Sequence, residues 1–89
     1  MAWKVEIEQS AMSDLDQLDS PFGRKILKSL FQWLMFLENP RSIGRAFSGS
    51  NYGELWKYHV GDYRIVARIE DDWSRILALR ITHRPGSPR

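Results

Sequence analysis

Lys57, His59, Arg64, Arg68, Arg80 and Arg84 are spaced so that extended backbone would gather them on one surface. In the run LWKYHV, residues 55–60, Lys57 and His59 alternate with Trp56, Tyr58 and Val60. A strand sends successive side chains to opposite faces. Gly61-Asp62, between Val60 and Tyr63, reads as a two-residue hairpin turn. Such a turn would set His59 opposite Arg64. Arg64 and Arg68 then join Lys57 and His59, while Tyr63, Ile65, Ala67 and Ile69 face the other way. In the last strand Leu77, Leu79 and Ile81 are the expected core set. That leaves Arg80, and by parity Arg84 just beyond the strand, on the polar face. Like charges opposed in a sheet cost stability, so a face this basic suggests an anion-binding use. Histidine can also exchange a proton near neutrality. With Arg64 opposite and Lys57 near, the neutral form of His59 would be favoured, as a general base requires. Plainer readings stand beside these: a solvated face balanced by Glu54, Asp62 and Glu70, and a His59 that is only a surface side chain. The absence of an acidic residue from the middle of the cluster favours the anion-binding face. His83 falls by parity on the core side and reads as structural.

These residues need a sheet, and the rest of the chain supplies its supports. Trp3, Val5 and Ile7 alternate with Lys4, Glu6 and Glu8, the pattern of a half-buried strand. Ala11, Leu15 and Leu18 recur at helical spacing and predict a helix of about two turns. Ser20-Pro21 is a helix start, with Ser as N-cap and Pro at the first position. The helix that follows is expected to run to about Glu38, before Asn39-Pro40. Phe22, Ile26, Leu30, Trp33, Leu34 and Leu37 form its expected core stripe, broadened by Phe31, Met35 and Phe36. Such a surplus of apolar residues is either packed core or a docking surface. Residues 40–53 are rich in Gly and Ser and read as a loop. Strands are expected at Leu55–Val60, Tyr63–Glu70 and Arg75–Thr82, with a turn at residues 71–74. The expected fold is α+β with order β-α-α-β-β-β, two N-terminal helices packed on one face of an antiparallel sheet.

The 89 residues fit one domain, 1–89. Without cysteine the sequence has no disulfide framework and no thiolate metal site, which suits a reducing cytoplasm. The charged N-terminus lacks the apolar core of a signal peptide. The most apolar stretch, Leu30–Leu37, is too short to span a bilayer. Residues 1–40 hold four basic and six acidic side chains, whereas residues 41–89 hold nine basic and five acidic. All of the excess positive charge therefore lies in the C-terminal half, which fits either an anionic partner, nucleic acid or an acidic protein, or a solvated face with no partner.

The segment LWKYHVGDYRIVARI resembles the central hairpin of toxins of the RelE/ParE superfamily. In their RelE-type branch a Leu/aromatic–basic–aromatic–basic strand leads through a Gly turn into Tyr-Arg-aliphatic. ENPRSIGRAFSG resembles the family's helix end and loop to the sheet, and LRITHR its last strand with the trailing basic pair. The order of elements matches over nearly the whole chain. The resemblance implies a RelE-like fold and the toxin of a type II toxin–antitoxin module that arrests growth. It also implies a ribosome-dependent endoribonuclease, an mRNA interferase that cuts in the A site by attack of the 2′-hydroxyl, with no metal or cofactor. By motif position Lys57 and His59 stand for the family's basic pair, Arg64 for the arginine that steadies the phosphate, and Arg84 for the trailing arginine. Lys57, Arg64, Arg68, Arg80 and Arg84 would bind RNA. Many active members carry a tyrosine or histidine a few residues past that arginine; here PGSPR follows, and no aromatic residue comes after His83. Two alternatives share the fold: a ParE-like toxin that blocks DNA gyrase without catalysis, and an inactive antitoxin-binding member. All three imply a cognate antitoxin, covering either the basic face or the apolar surface of the second helix.

Overall fold

In the computed structural model, residues 3–18, 21–46 and 55–83 are described. Ser20, Glu54 and Arg84 lie outside them, as do the side chains of Phe22 and Ile26 that the sequence placed in the core. Strand β1 (Lys4–Ile7) leads into helix α1 (Gln9–Asp16) and helix α2 (Pro21–Leu34). A two-residue strand β2 (Arg45–Ala46) follows, within the stretch expected to be loop. Then come β3 (Leu55–Val60), β4 (Tyr63–Glu70), a 3-10 turn (Asp71–Trp73) and β5 (Arg75–His83).

The α+β class and the order of the main elements hold. The five strands lie in the order β1-β5-β4-β3-β2. The sheet is mixed rather than purely antiparallel: β1 pairs parallel with β5, from Lys4 beside Arg75 to Ile7 beside Ala78. Alternation along a strand reports which face is buried, not the direction of its neighbour, so this pairing was invisible in the pattern. The expected hairpin register is present, with Val60 opposite Tyr63 and His59 opposite Arg64.

The helices and one sheet face share a core of Ala11, Leu15, Leu27, Leu30, Phe31, Leu34, Tyr58, Ile65, Ala67, Ile76, Ala78 and Ile81. Leu27, Leu30, Phe31 and Leu34 make the buried stripe of α2, at the i, i+3, i+4, i+7 spacing of one helical face. Phe31 is thus core, whereas Trp33 lies off the stripe and is 53 % exposed. The helix ends four residues before Glu38. Its last turn tightens through Phe36 N–H to Trp33 O and Leu37 N–H to Leu34 O bonds, at 3.0 and 3.3 Å.

Strand β5 corrects the expected core set. Ile76 and Ala78 are buried, and Leu77 and Leu79 are not. The register shifts between Val66 and Ala67: Val66 pairs with Arg80, and Ala67 with Ala78. Leu79 is the extra residue of this bulge. The extra residue flips the alternation, so Ile76, Ala78 and Ile81 share the core face although their spacing is not uniform.

Strand β1 covers only the first half of β5, and α1 takes over the second. Glu8 N–H donates to Ala78 O at 2.9 Å. Ser10 Oγ donates to Leu79 O at 2.7 Å, and the Asp14 carboxylate accepts from Ile81 N–H at 2.9 Å. Side chains of α1 thus satisfy backbone groups that a longer β1 would have paired.

Candidate functional site

The hairpin β3–β4 carries the site, and its core side explains its orientation. Tyr58, 1 % exposed, donates its hydroxyl to Pro40 O at 2.6 Å. Burial pushes the Tyr58 phenol above its ordinary value. The Trp56 indole N–H donates to Ile43 O at 2.7 Å, and Arg41 stands over the Trp56 ring at 5.9 Å. Gly44, at φ 80°, lets the loop press on this strand; a Cβ there would sit 2.5 Å from Lys57 O. With Trp56 and Tyr58 held inward, Lys57 and His59 must face the other side of the sheet. Tyr63 anchors the far end of the hairpin against Gly23 of α2. The His83 ring lies 5.3 Å from the Tyr63 ring, on the core side that the parity suggested for it.

On the open face the register builds rows across the strands. Lys57, Val66 and Arg80 form one row; His59, Arg64 and Thr82 the next; Leu55, Arg68 and Leu77 the third. Directly opposed Cβ atoms lie about 4.5–5.5 Å apart, and same-face neighbours along a strand about 7 Å. Lys57, His59 and Arg64 are therefore within reach of a single phosphate group. His59 and Arg68 are exposed, and Lys57 and Arg64 half-buried. The structure thus brings together Lys57, His59, Arg64 and Arg68.

Arg80 shares the face, yet its charge is already engaged. Its Nε and Nη2 donate to Asp14 at 2.8 and 3.1 Å. The Arg80 hydrogen bond holds the Asp14 carboxyl below the usual carboxylate range, despite partial burial. Asp14 lies on α1, remote in sequence, and nothing in the local pattern of β5 could announce it. At the opposite end of the face Arg75 donates to Glu70 at 2.6 Å and Glu6 at 3.0 Å. These acids sit at the margin and leave the middle of the cluster basic. Thr82, opposite Arg64, is the polar member of that row that strand alternation passed over. Arg84 lies outside the described residues. Among those residues no group of three or more His, Asp or Glu side chains could hold a metal ion, and no helix is long and apolar enough to cross a membrane.

A sheet face that opposes His59 to Arg64 beside Lys57 can bind an anion and offer a proton-exchanging group to it. A family model described as the ParE toxin of type II toxin–antitoxin system, parDE, matches residues 5–86. The chain belongs to this toxin family, within the RelE/ParE superfamily. Solved toxins share its fold. The RelBE2 toxin–antitoxin complex of Mycobacterium tuberculosis contains a chain 23 % identical, with TM-score 0.71, covering 94 % of this chain and 93 % of its own. The archaeal RelE–RelB complex of Pyrococcus horikoshii gives 19 % identity and TM-score 0.75, covering 98 and 100 %. The intact Escherichia coli RelBE complex gives 14 % identity and TM-score 0.74, covering 99 and 100 %. No match is found among curated protein sequences.

Proposed function

We propose that this toxin is a metal-independent endoribonuclease that cuts mRNA in the ribosomal A site. The observation that carries the reading is the opposition of His59 and Arg64, with Lys57 two residues along β3, on the sheet face away from the helices. In the proposed step His59 takes the proton of the 2′-hydroxyl. The 2′-oxygen then bonds to the adjacent phosphorus, and the bond from phosphorus to the 5′-oxygen breaks. Arg64, with Arg84, balances the charge on the phosphorane. Lys57 returns a proton to the leaving 5′-oxygen, so the products are a 2′,3′-cyclic phosphate and a 5′-hydroxyl. Arg68 binds the RNA backbone further along β4, and Arg80 joins it when released from Asp14.

Primer extension on mRNA from cells expressing the chain is the direct test. A-site cuts are expected with the wild-type chain and not with the Arg64→Ala, Arg84→Ala double variant. Growth arrest that survives the double change would remove the reading. The match to a ParE family model favours one second reading, inhibition of DNA gyrase without catalysis. Loss of plasmid supercoiling by gyrase at micromolar toxin would support it, and unimpaired supercoiling would count against it.

The partner that restrains the toxin is proposed to be a cognate antitoxin, as in the RelBE complexes. An acidic segment that folds on binding would suit the basic face, and its apolar residues would suit Trp33 and Phe36. Purification alone or with the neighbouring gene product tests that association. The proposed setting is the cytoplasm, with residues 1–89 acting as one domain.

A further inference from the structure

Trp73 is 71 % exposed, at the end of the 3-10 turn between β4 and β5. Burying a tryptophan is ordinarily among the larger gains a small core can make, so an indole left in solvent on a turn calls for a use. The turn is held firmly. Arg41 donates two bonds to Asp71, at 2.9 and 3.0 Å, and Arg75 bridges Glu70 and Glu6. Ser74, left-handed at φ 48°, closes the turn with its N–H on Asp71 O and accepts from Lys4 N–H at 2.9 Å. Trp73 therefore stands on an ordered platform.

Beside it opens a cleft of about 310 Å³ lined by Arg68, Ile69, Glu70, Asp71, Asp72 and Trp73, at the small end of the range for ligand sites. Its lining carries three carboxylates and one arginine, and Arg41 and Arg75 offset two of the acids, Arg75 being shared with Glu6. The carboxylates of Glu70 and Asp71 are held by Arg75 and Arg41, which depress both below the usual range, and Asp72 shares the cleft with Arg68. A phosphate would find no net attraction there. A neutral, planar, hydrogen-bonding ring would find an indole to stack on and polar groups at its edge. Arg68 belongs both to the cleft and to the cationic face, four residues along β4 from Arg64, or roughly 13 Å by the strand rise.

We propose that Trp73 and this cleft form a nucleobase-stacking subsite for single-stranded RNA, a few nucleotides from the phosphate held at Arg64. Arg68 binds the intervening backbone. The subsite rests on the RNA reading proposed above and extends it from phosphate binding to base binding. Stacking on an aromatic ring tolerates any base, so the subsite adds affinity and register rather than strict sequence choice.

The test is fluorescence-anisotropy titration of a labelled single-stranded RNA decamer, 2′-O-methylated throughout so that it cannot be cut, against the full chain at several salt concentrations. Trp73→Ala is expected to weaken binding by roughly 5- to 150-fold, the range for one lost base stack. The slope of log affinity on log salt is expected to stay unchanged. Trp73→Phe should restore most of the affinity. Arg64→Ala should weaken binding and reduce the salt slope by about 0.7, the single-strand value for one phosphate contact. Trp73 is exposed, so both variants at this position should keep the wild-type thermal midpoint. If Trp73→Ala binds like wild type while Arg64→Ala is impaired, the subsite is overturned and the RNA reading stands. If neither change matters, or if the wild-type chain does not bind the decamer, the subsite is overturned, and primer extension on ribosome-bound mRNA decides the RNA reading by itself.

Discussion

Replacing Asp14 with alanine removes the acceptor of three hydrogen bonds at once, two from Arg80 and one from Ile81 N–H. The two partners differ in value. The Arg80 side chain is 57 % exposed against 15 % for Asp14, so water largely replaces the ion pair, which is worth about 0.2–1 kcal/mol. The Ile81 amide sits on a strand edge under α1, and Ile81 itself is a core residue, 5 % exposed. Stranding it costs about 1–3 kcal/mol. Asp14→Ala should therefore lose about 1–4 kcal/mol. A loss near 2 kcal/mol lowers the midpoint of a domain this size by roughly 8–16 °C. Asp14→Asn keeps a carbonyl acceptor for the amide and should lose only the ionic part, as should Arg80→Ala. Thermal melts and urea titrations followed by circular dichroism give the three values. Arg80→Ala as damaging as Asp14→Ala would refute this, because the ion pair and not the edge amide would then be the support. The pH dependence has a definite sign. Folding lowers the Asp14 carboxyl below its unfolded value, so its contribution is full above the unfolded value and fades as pH falls through the folded one. The gap between wild type and Asp14→Ala should narrow below about pH 4.

Gly44→Ala should destabilise the chain by about 2 kcal/mol or more, since it combines a left-handed backbone with a Cβ 2.5 Å from Lys57 O; a urea midpoint equal to wild type would contradict this. Tyr58→Phe removes the hydroxyl bonded to Pro40 O and should cost about 1–2 kcal/mol in the same assay. Phe36→Ser should change stability by less than about 0.5 kcal/mol, because that ring is 78 % exposed, yet it should weaken co-purification with an antitoxin that covers α2. Glu70 and Asp71 are held below the usual range by Arg75 and Arg41. Their contributions are likewise lost as pH falls through the folded values, so an acid titration of wild type should show stability declining below about pH 4, and less steeply in Arg41→Ala.

The alternation of Trp56, Tyr58 and Val60 with Lys57 and His59, together with Gly61-Asp62, was enough to place a hairpin and oppose His59 to Arg64. These are local facts: strand parity and a two-residue turn leave one register. The buried stripe of α2 was legible in part for the same reason, although Phe31 and Trp33 exchanged roles, because neighbours in an apolar run differ only by their angle to the sheet. The parallel seat of β1 beside β5 was not legible, since alternation is blind to strand direction. Nor was the bulge at Leu79, because an inserted residue changes no residue type and yet turns Leu77 outward and Ile76 inward. Asp14 is the clearest case. From the sequence Arg80 belonged with the RNA-binding cations. Only the packing of α1 along the edge of β5 decides that a carboxylate 66 residues away holds that arginine while it satisfies the strand.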